Sequence, residues 1–284
     1  MNQESKKDKK PWMLVLLQVL IGLSLVAVAI FAYIYLKADK EYKVGNDYYE
    51  SIRTDQITVL EVMRDADAAN VPPSTPSSVS AQSPEQPAEV EQNAPSQGSM
   101  VFTYLETINQ DVVAWITADG LPIDLPIVQG DDNDYYLTHL FDHQINRLGT
   151  LFVDVNNQGD FSDKNTAVYG HNMNDGSMFA SLMNYQSQEF FESFPEMDLY
   201  TPTSDYKIEL FAGMVHDGAE PFIRFSFHDD FDFLSYVDYL KQNSTFDSPV
   251  SVEPEDQIIT LSTCTPDYYN NKRYVVYGRL VPIK

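Results

Sequence analysis

Cys264 is the single cysteine among 284 residues, and it closes a β-like run, Ile258-Ile259-Thr260-Leu261-Ser262-Thr263. Nine residues on, Arg273 opens a second such run, Arg273-Tyr274-Val275-Val276-Tyr277-Gly278-Arg279-Leu280. A lone cysteine has no internal disulfide partner, so it is either a small buried hydrophobe or a reactive thiol. A nearby permanent cation lowers thiol pKa values and favours the second reading. A thiolate that attacks a carbonyl also needs a proton carrier, and the chain offers five histidines. His171 follows Thr166-Ala167-Val168-Tyr169 through Gly170, and a strand end followed by glycine can project a polar side chain into a cleft. His216 also ends a strand-like run and is the main competitor, although Asp217-Gly218-Ala219 reads equally well as a plain turn. His139, His143 and His228 sit in acidic, irregular surroundings and read as solvated surface.

Cys264 and His171 are 93 residues apart (264 − 171), so only the fold can bring two strand ends together. If they meet, a thiolate–imidazolium pair makes a strong nucleophile without an external base. The thiolate would attack an amide carbonyl and His171 would protonate the departing amine. Arg273 is always charged and cannot be a base. It can stabilise a developing oxyanion and orient substrate carbonyls. The alternative open at this point is that Cys264 packs a barrel core and Arg273 makes a surface salt bridge.

Other constellations are weaker. Asp154-Val155-Asn156-Asn157-Gln158-Gly159-Asp160 begins like a calcium loop, but its twelfth position is Asn165 rather than Glu, so the pattern fails. Asp131-Asp132-Asn133-Asp134 reads as a solvated turn and helix cap. No zinc-ligand spacing and no phosphate-binding glycine loop occurs, so no metal or cofactor is expected. The net charge of −24 argues against nucleic acid and anionic lipid as partners.

The elements that would position these residues follow from composition. Trp12 to Leu36 is 25 residues interrupted by nothing more polar than Gln18 and Ser24. As a helix it would span roughly 37 Å, enough for a hydrocarbon layer of about 30 Å. An uncleaved anchor is expected at 12–36, after a short cytoplasmic tail at 1–11. Lys6, Lys7, Lys9 and Lys10 precede the span, while Lys37, Lys40 and Lys43 follow it, so the basic balance favours a cytoplasmic N-terminus only slightly. Residues 37–69 read as a membrane-proximal helical segment, with Ile52, Ile57, Leu60 and Met63 on one stripe. Residues 70–99 hold six prolines and seven serines from Asn70 to Ser99 and read as a flexible tether. A folded domain is expected at 100–284. It has a helix at Phe102–Ile108 and a turn at Asp119-Gly120. Short strands are expected at Thr150–Asp154, Thr166–Tyr169, Lys207–Val215, Phe222–Phe227, Ile258–Thr263 and Arg273–Leu280. Two helical insertions, Ser177–Phe194 and Asp230–Gln242, interrupt them. Many short strands with few helices predict a mostly β domain, a barrel or sandwich.

Taken in order, several motifs resemble the class B sortases of Gram-positive bacteria. They are Val112-Val113-Ala114-Trp115-Ile116, Asp132-Asn133-Asp134-Tyr135-Tyr136-Leu137, Gly149-Thr150-Leu151-Phe152-Val153-Asp154, Tyr169-Gly170-His171-Asn172-Met173, Thr260-Leu261-Ser262-Thr263-Cys264 and the run from Arg273. The resemblance covers roughly residues 100 to 284. It implies a mainly antiparallel β-barrel of about eight strands, with N-terminal helices and a helical insertion before the cysteine strand. It implies a cysteine transpeptidase that cleaves a C-terminal sorting signal of secreted proteins through a thioacyl enzyme. Cys264 would be the nucleophile, His171 the general acid/base and Arg273 the orienting cation, with Asn172, Ser262, Thr263 and Asp267 as supporting candidates. The implied partners are sorting-signal peptides, a cell-wall precursor amine or a pilin lysine, and the membrane through the anchor. The resemblance puts the catalytic domain, expected to be monomeric, outside the cell. Polymerising or mainly hydrolytic action is the nearest alternative, and a catalytically silent peptide-binding scaffold the more distant one.

Overall fold

Runs of β-branched and aromatic residues with a buried face become eight strands, and two acidic-to-apolar stretches become the helices that cover them. The computed structural model describes residues 11–69, 97–218, 223–264 and 272–283. The expected tether therefore lies, except for its last three residues, outside the described residues, as does Asp267. The chain divides into two units, Met1–Val44 and Gly45–Lys284. The helix α1 (Pro11–Ala69) takes in both the expected anchor and the expected membrane-proximal segment. In the first unit every described side chain from Trp12 to Leu36 is exposed, and the helix is long and apolar enough to cross a membrane once.

The second unit contains α2 (Gln97–Ile108), α3 (Gln188–Ser193), α4 (Asp230–Gln242) and the strands. These are β1 (Val112–Ala118), β2 (Ile123–Val128), β3 (Leu151–Val153), β4 (Asn165–Gly170), β5 (Glu196–Tyr200), β6 (Asp205–Asp217), β7 (Gln257–Cys264) and β8 (Lys272–Ile283). They close into a barrel in the order β1-β2-β3-β4-β7-β8-β6-β5. The pairs β2–β3 and β4–β7 are parallel, and the remaining pairs are antiparallel. β7 runs between β4 and β8, and Ile258 to Thr263 are all buried, which is why it reads as a nearly unbroken run rather than an alternation.

Helix α4 forms where the sequence predicts it. Asp229 accepts the N–H of Asp232 at 2.8 Å, satisfying an end-of-helix donor, and Asp230 and Asp232 suit the positive end of the helix dipole. Phe233, Tyr236, Val237 and Leu240 form its buried stripe against Phe211, Met214, Val275 and Tyr277 of β6 and β8. Full burial of each such side chain contributes about 1.5–3 kcal/mol, so the insertion is anchored firmly on the sheet that carries Arg273.

The expected strand at Phe222–Phe227 does not form over its described part, residues 223–227. Phe227 covers α4 instead of pairing with a sheet: it packs edge-on to Phe233 at 5.0 Å, and Arg224 stacks on Phe227 while pairing with Asp232 at 2.6 Å. The expected helical insertion at Ser177–Phe194 splits into a 3-10 turn (Ala180–Gln186) and α3. Strand β5, which sequence periodicity passes over, follows it and closes the barrel by pairing with both β1 and β6.

Candidate active site

Three neighbouring strands bring the candidate residues into one row. In β7–β8, Cys264 is paired with Arg273. In β4–β7, Gly170 is paired with Thr263, so the next position, 171, lies level with 264. Adjacent strands are about 5 Å apart, so the 93-residue separation of His171 and Cys264 in the chain closes to a single step across the sheet.

His171 leaves β4 at a point where the backbone is tightly confined. A Cβ on Gly170 would fall within contact distance of Leu151 Cδ2 and 2.6 Å from Phe179 Cδ2. After His171 the chain makes a small hairpin: Asn172 bridges Met178, and the Phe179 N–H donates to the His171 carbonyl at 2.9 Å. The imidazole Nε2 lies 2.6 Å from the Leu137 carbonyl oxygen. A carbonyl only accepts, so Nε2 carries the proton and Nδ1 is the ring atom whose lone pair can exchange one.

His171 and Arg273 line one cleft of about 310 Å³, together with Asn133, Asp134, Leu137 and Tyr169. Behind it, the buried Asp154 carboxylate accepts hydrogen bonds from Tyr169 Oη at 2.7 Å, Asn133 Nδ2 at 3.1 Å and the Asn156 N–H at 2.9 Å. Burial pushes the Tyr169 phenol above its ordinary pKa, and its hydrogen bond to Asp154 and that residue's charge push the same way. The Arg273 cation opposes them, so its field reaches the cleft wall. Ser262 and Thr263, fully buried beside the Cys264 position, have hydroxyls with no hydrogen-bond partner among the described residues.

The competing histidine has another partner. His216 faces Arg273 across β6–β8, but its Nε2 lies 2.8 Å from Tyr277 Oη, and burial lowers its pKa. His139 stacks on Tyr135 at 3.9 Å, His143 approaches Tyr135 Oη at 3.3 Å, and His228 is exposed beside Asp229. In the acidic turn, Asp132 accepts the N–H groups of Asp134 at 2.9 Å and Tyr135 at 2.8 Å, which hold its carboxyl below the usual range. Sequence reasoning on single residues missed Leu137, Tyr169 and Asn133 as cleft residues. Tyr169 carried a usable signal, since it stands two residues before His171 and alternate strand positions share a face. Leu137 acts through its backbone carbonyl, which no side-chain type announces.

No family model matches the chain. Sortase B of Listeria monocytogenes is 42% identical over 180 residues, which are 62% of this chain and 72% of that protein. Among solved structures, the Staphylococcus aureus sortase B–substrate complex matches with a TM-score of 0.62 and 32% identity, covering 65% of this chain and 86% of that one. A Bacillus anthracis protein similar to sortase B matches with a TM-score of 0.61 and 36% identity, covering 65% of this chain and 84% of that one.

Proposed function

This chain belongs to the sortase B family, and on that premise we propose that Cys264 is its nucleophile, His171 its acid–base group and Arg273 its carbonyl-orienting cation. The enzyme is a cysteine transpeptidase that acts on sorting-signal peptides through a thioacyl intermediate. The observation that carries the residue assignment is the common row of positions 171, 264 and 273 at the end of three adjacent strands, with His171 and Arg273 on one cleft.

The reaction runs in two halves. The Cys264 thiolate bonds to the scissile carbonyl carbon, and the negative charge that gathers on the oxygen is met by the Arg273 guanidinium. The C–N bond then breaks as His171 gives its Nδ1 proton to the departing amine, leaving a thioacyl enzyme. An incoming amine attacks the same carbon, Nδ1 takes the proton that amine loses, and the C–S bond breaks to restore the thiolate. Leu137 keeps Nε2 occupied throughout, so only one ring atom handles the proton.

The acceptor is a cell-wall amine, and the donor is the C-terminal signal of a secreted protein. Both lie outside the membrane, which sets the N-terminus in the cytoplasm and the barrel outside. The lysines at 6, 7, 9 and 10 ahead of the span support that orientation. Asn172, Ser262 and Thr263 support the site through the hairpin and the cysteine strand, and Asp267 is a further supporting candidate.

The test is intact-protein mass spectrometry of the detergent-solubilised chain with a panel of sorting-signal peptides. The wild type should acquire the acyl mass, and Cys264→Ala should not while keeping the wild-type melting profile. An adduct surviving in Cys264→Ala would sink the assignment.

A further inference from the structure

His171 is held by a succession of contacts that starts on α1. Its Nε2–H donates to the Leu137 carbonyl at 2.6 Å. That carbonyl packs against Gly149, whose φ of 63° lies in the left-handed region. A Cβ there would come within contact distance of the Tyr136 oxygen and 2.9 Å from the Leu137 oxygen, so glycine is required for both reasons. Thr150 continues the grip: its N–H donates to the Tyr136 carbonyl at 2.9 Å and its hydroxyl to the His139 carbonyl at 2.9 Å.

Gly149 and Thr150 are in turn fastened to α1. The Tyr49 hydroxyl donates to the Gly149 carbonyl at 2.5 Å and lies 3.0 Å from Thr150 Oγ1. Tyr49 is 2% exposed, and burial holds its phenol pKa above the ordinary value, so it remains a neutral donor at working pH. Gly45, one turn earlier, admits the close approach of Leu148 and Asn146. A second contact reaches the hairpin that follows the histidine. Asn46 Nδ2 donates to Asp175 Oδ2 at 2.8 Å, near the tip of the hairpin that begins at Asn172. The α1 segment from Gly45 to Tyr49 therefore touches both the stretch that holds the imidazole and the hairpin that holds the His171 backbone.

We infer that Tyr49 and Asn46 are positioning residues for His171: the stretch of α1 from Gly45 to Tyr49 fixes the tautomer and placement of the acid–base imidazole. The inference rests on the role proposed above for His171. Simple docking of α1 against the barrel would produce the same contacts, and the two accounts differ in what removal of one hydroxyl does. If Tyr49 only docks the helix, Tyr49→Phe lowers the melting temperature and leaves the folded enzyme's chemistry alone. If it positions His171, the folded enzyme itself changes.

The experiment uses the full chain in detergent, labelled with 15N-histidine, as wild type and as Tyr49→Phe. The substitution keeps the buried ring and removes only the oxygen. In the wild type the His171 resonances should show the proton held on Nε2. In Tyr49→Phe they should shift towards the tautomer average, with kcat about tenfold lower and KM within twofold, the scale of one lost hydrogen bond expressed in the transition state. Asn46→Ala, which removes an exposed contact, should move kcat and the spectrum in the same direction and guards against a folding failure of the first variant. Unchanged imidazole resonances in both variants would overturn the positioning role, whatever their turnover. A His171→Ala enzyme that keeps turnover would instead overturn the acid–base role, so the two failures are distinct.

Discussion

Gly170→Ala tests how strictly the fold must hold the residue after it. The new methyl would meet Phe179 Cδ2 at 2.6 Å and Cγ at 2.8 Å, besides Leu151 Cδ2. Carbon atoms in contact rest about 3.5–4.0 Å apart, so at least one pair must part by about 1 Å. Neither neighbour can yield into solvent, because Leu151 and Phe179 are both 0% exposed. Forcing an extra carbon into a packed interior costs about 1–3 kcal/mol, whereas replacing glycine in a strand returns roughly 0.5–1 kcal/mol of backbone entropy. Overpacking wins, and a net loss of about 1–2 kcal/mol is expected in a urea titration, with a fall in melting temperature of about 3–8 °C. The strain falls on the residue before His171. A displacement of about 1 Å in a reacting group can cost 100-fold in rate, so single-turnover acylation, followed by mass spectrometry, should slow by 10- to 100-fold. Wild-type stability would refute the packing estimate. Lost stability with unchanged acylation would refute the claim that this strand end places the His171 imidazole for the proposed acid–base role.

The remaining predictions are simpler. Arg273→Lys keeps the charge and loses the planar five-donor fork, so kcat should fall by about 100- to 1000-fold; a steady-state rate near wild type would contradict the oxyanion role. His216 has a folded-state pKa depressed by burial, which favours its neutral form. Its contribution is fully present above the unfolded value of about 6.5 and is lost as pH falls from there through the lower folded pKa. Melting curves from pH 8 down to pH 5 should therefore show declining stability below about pH 6.5, and His216→Gln should flatten that slope. An identical slope in the variant would remove His216 as its source. Asp229→Ala deletes the carboxylate that caps α4 and should lower the midpoint of a urea titration, with acylation unaffected.

Much of the site's chemistry can be read from residue types alone. A sole cysteine at the end of a β-like run, a cation opening the next run, and a histidine after a strand and a glycine are local patterns, set by side-chain chemistry and by two-residue periodicity. Helix α4 is equally local: an aspartate cap, an acidic first turn and an apolar stripe at helical spacing delimit it without reference to the rest of the chain. The failures fall where local preference is overruled by packing. Phe222–Phe227 has strand composition, yet Phe227 is spent on covering α4. Glu196–Tyr200 is short and acidic at its start, yet the closing barrel needs a strand there and supplies partners on both sides.

By itself, then, the sequence determined which residues could do chemistry, which stretch could cross a membrane and which family the motifs resemble. Only the tertiary structure decided what stands beside what. The parallel pairing of β4 with β7 is a contact between segments about 90 residues apart in the chain, and such a register depends on the closure of the whole barrel. The Leu137 carbonyl, the glycine that packs on it and the Tyr49 hydroxyl that grips that glycine are backbone and helix-docking features. No residue pattern encodes them, because a carbonyl is present at every position and acquires a partner only when the chain folds around it.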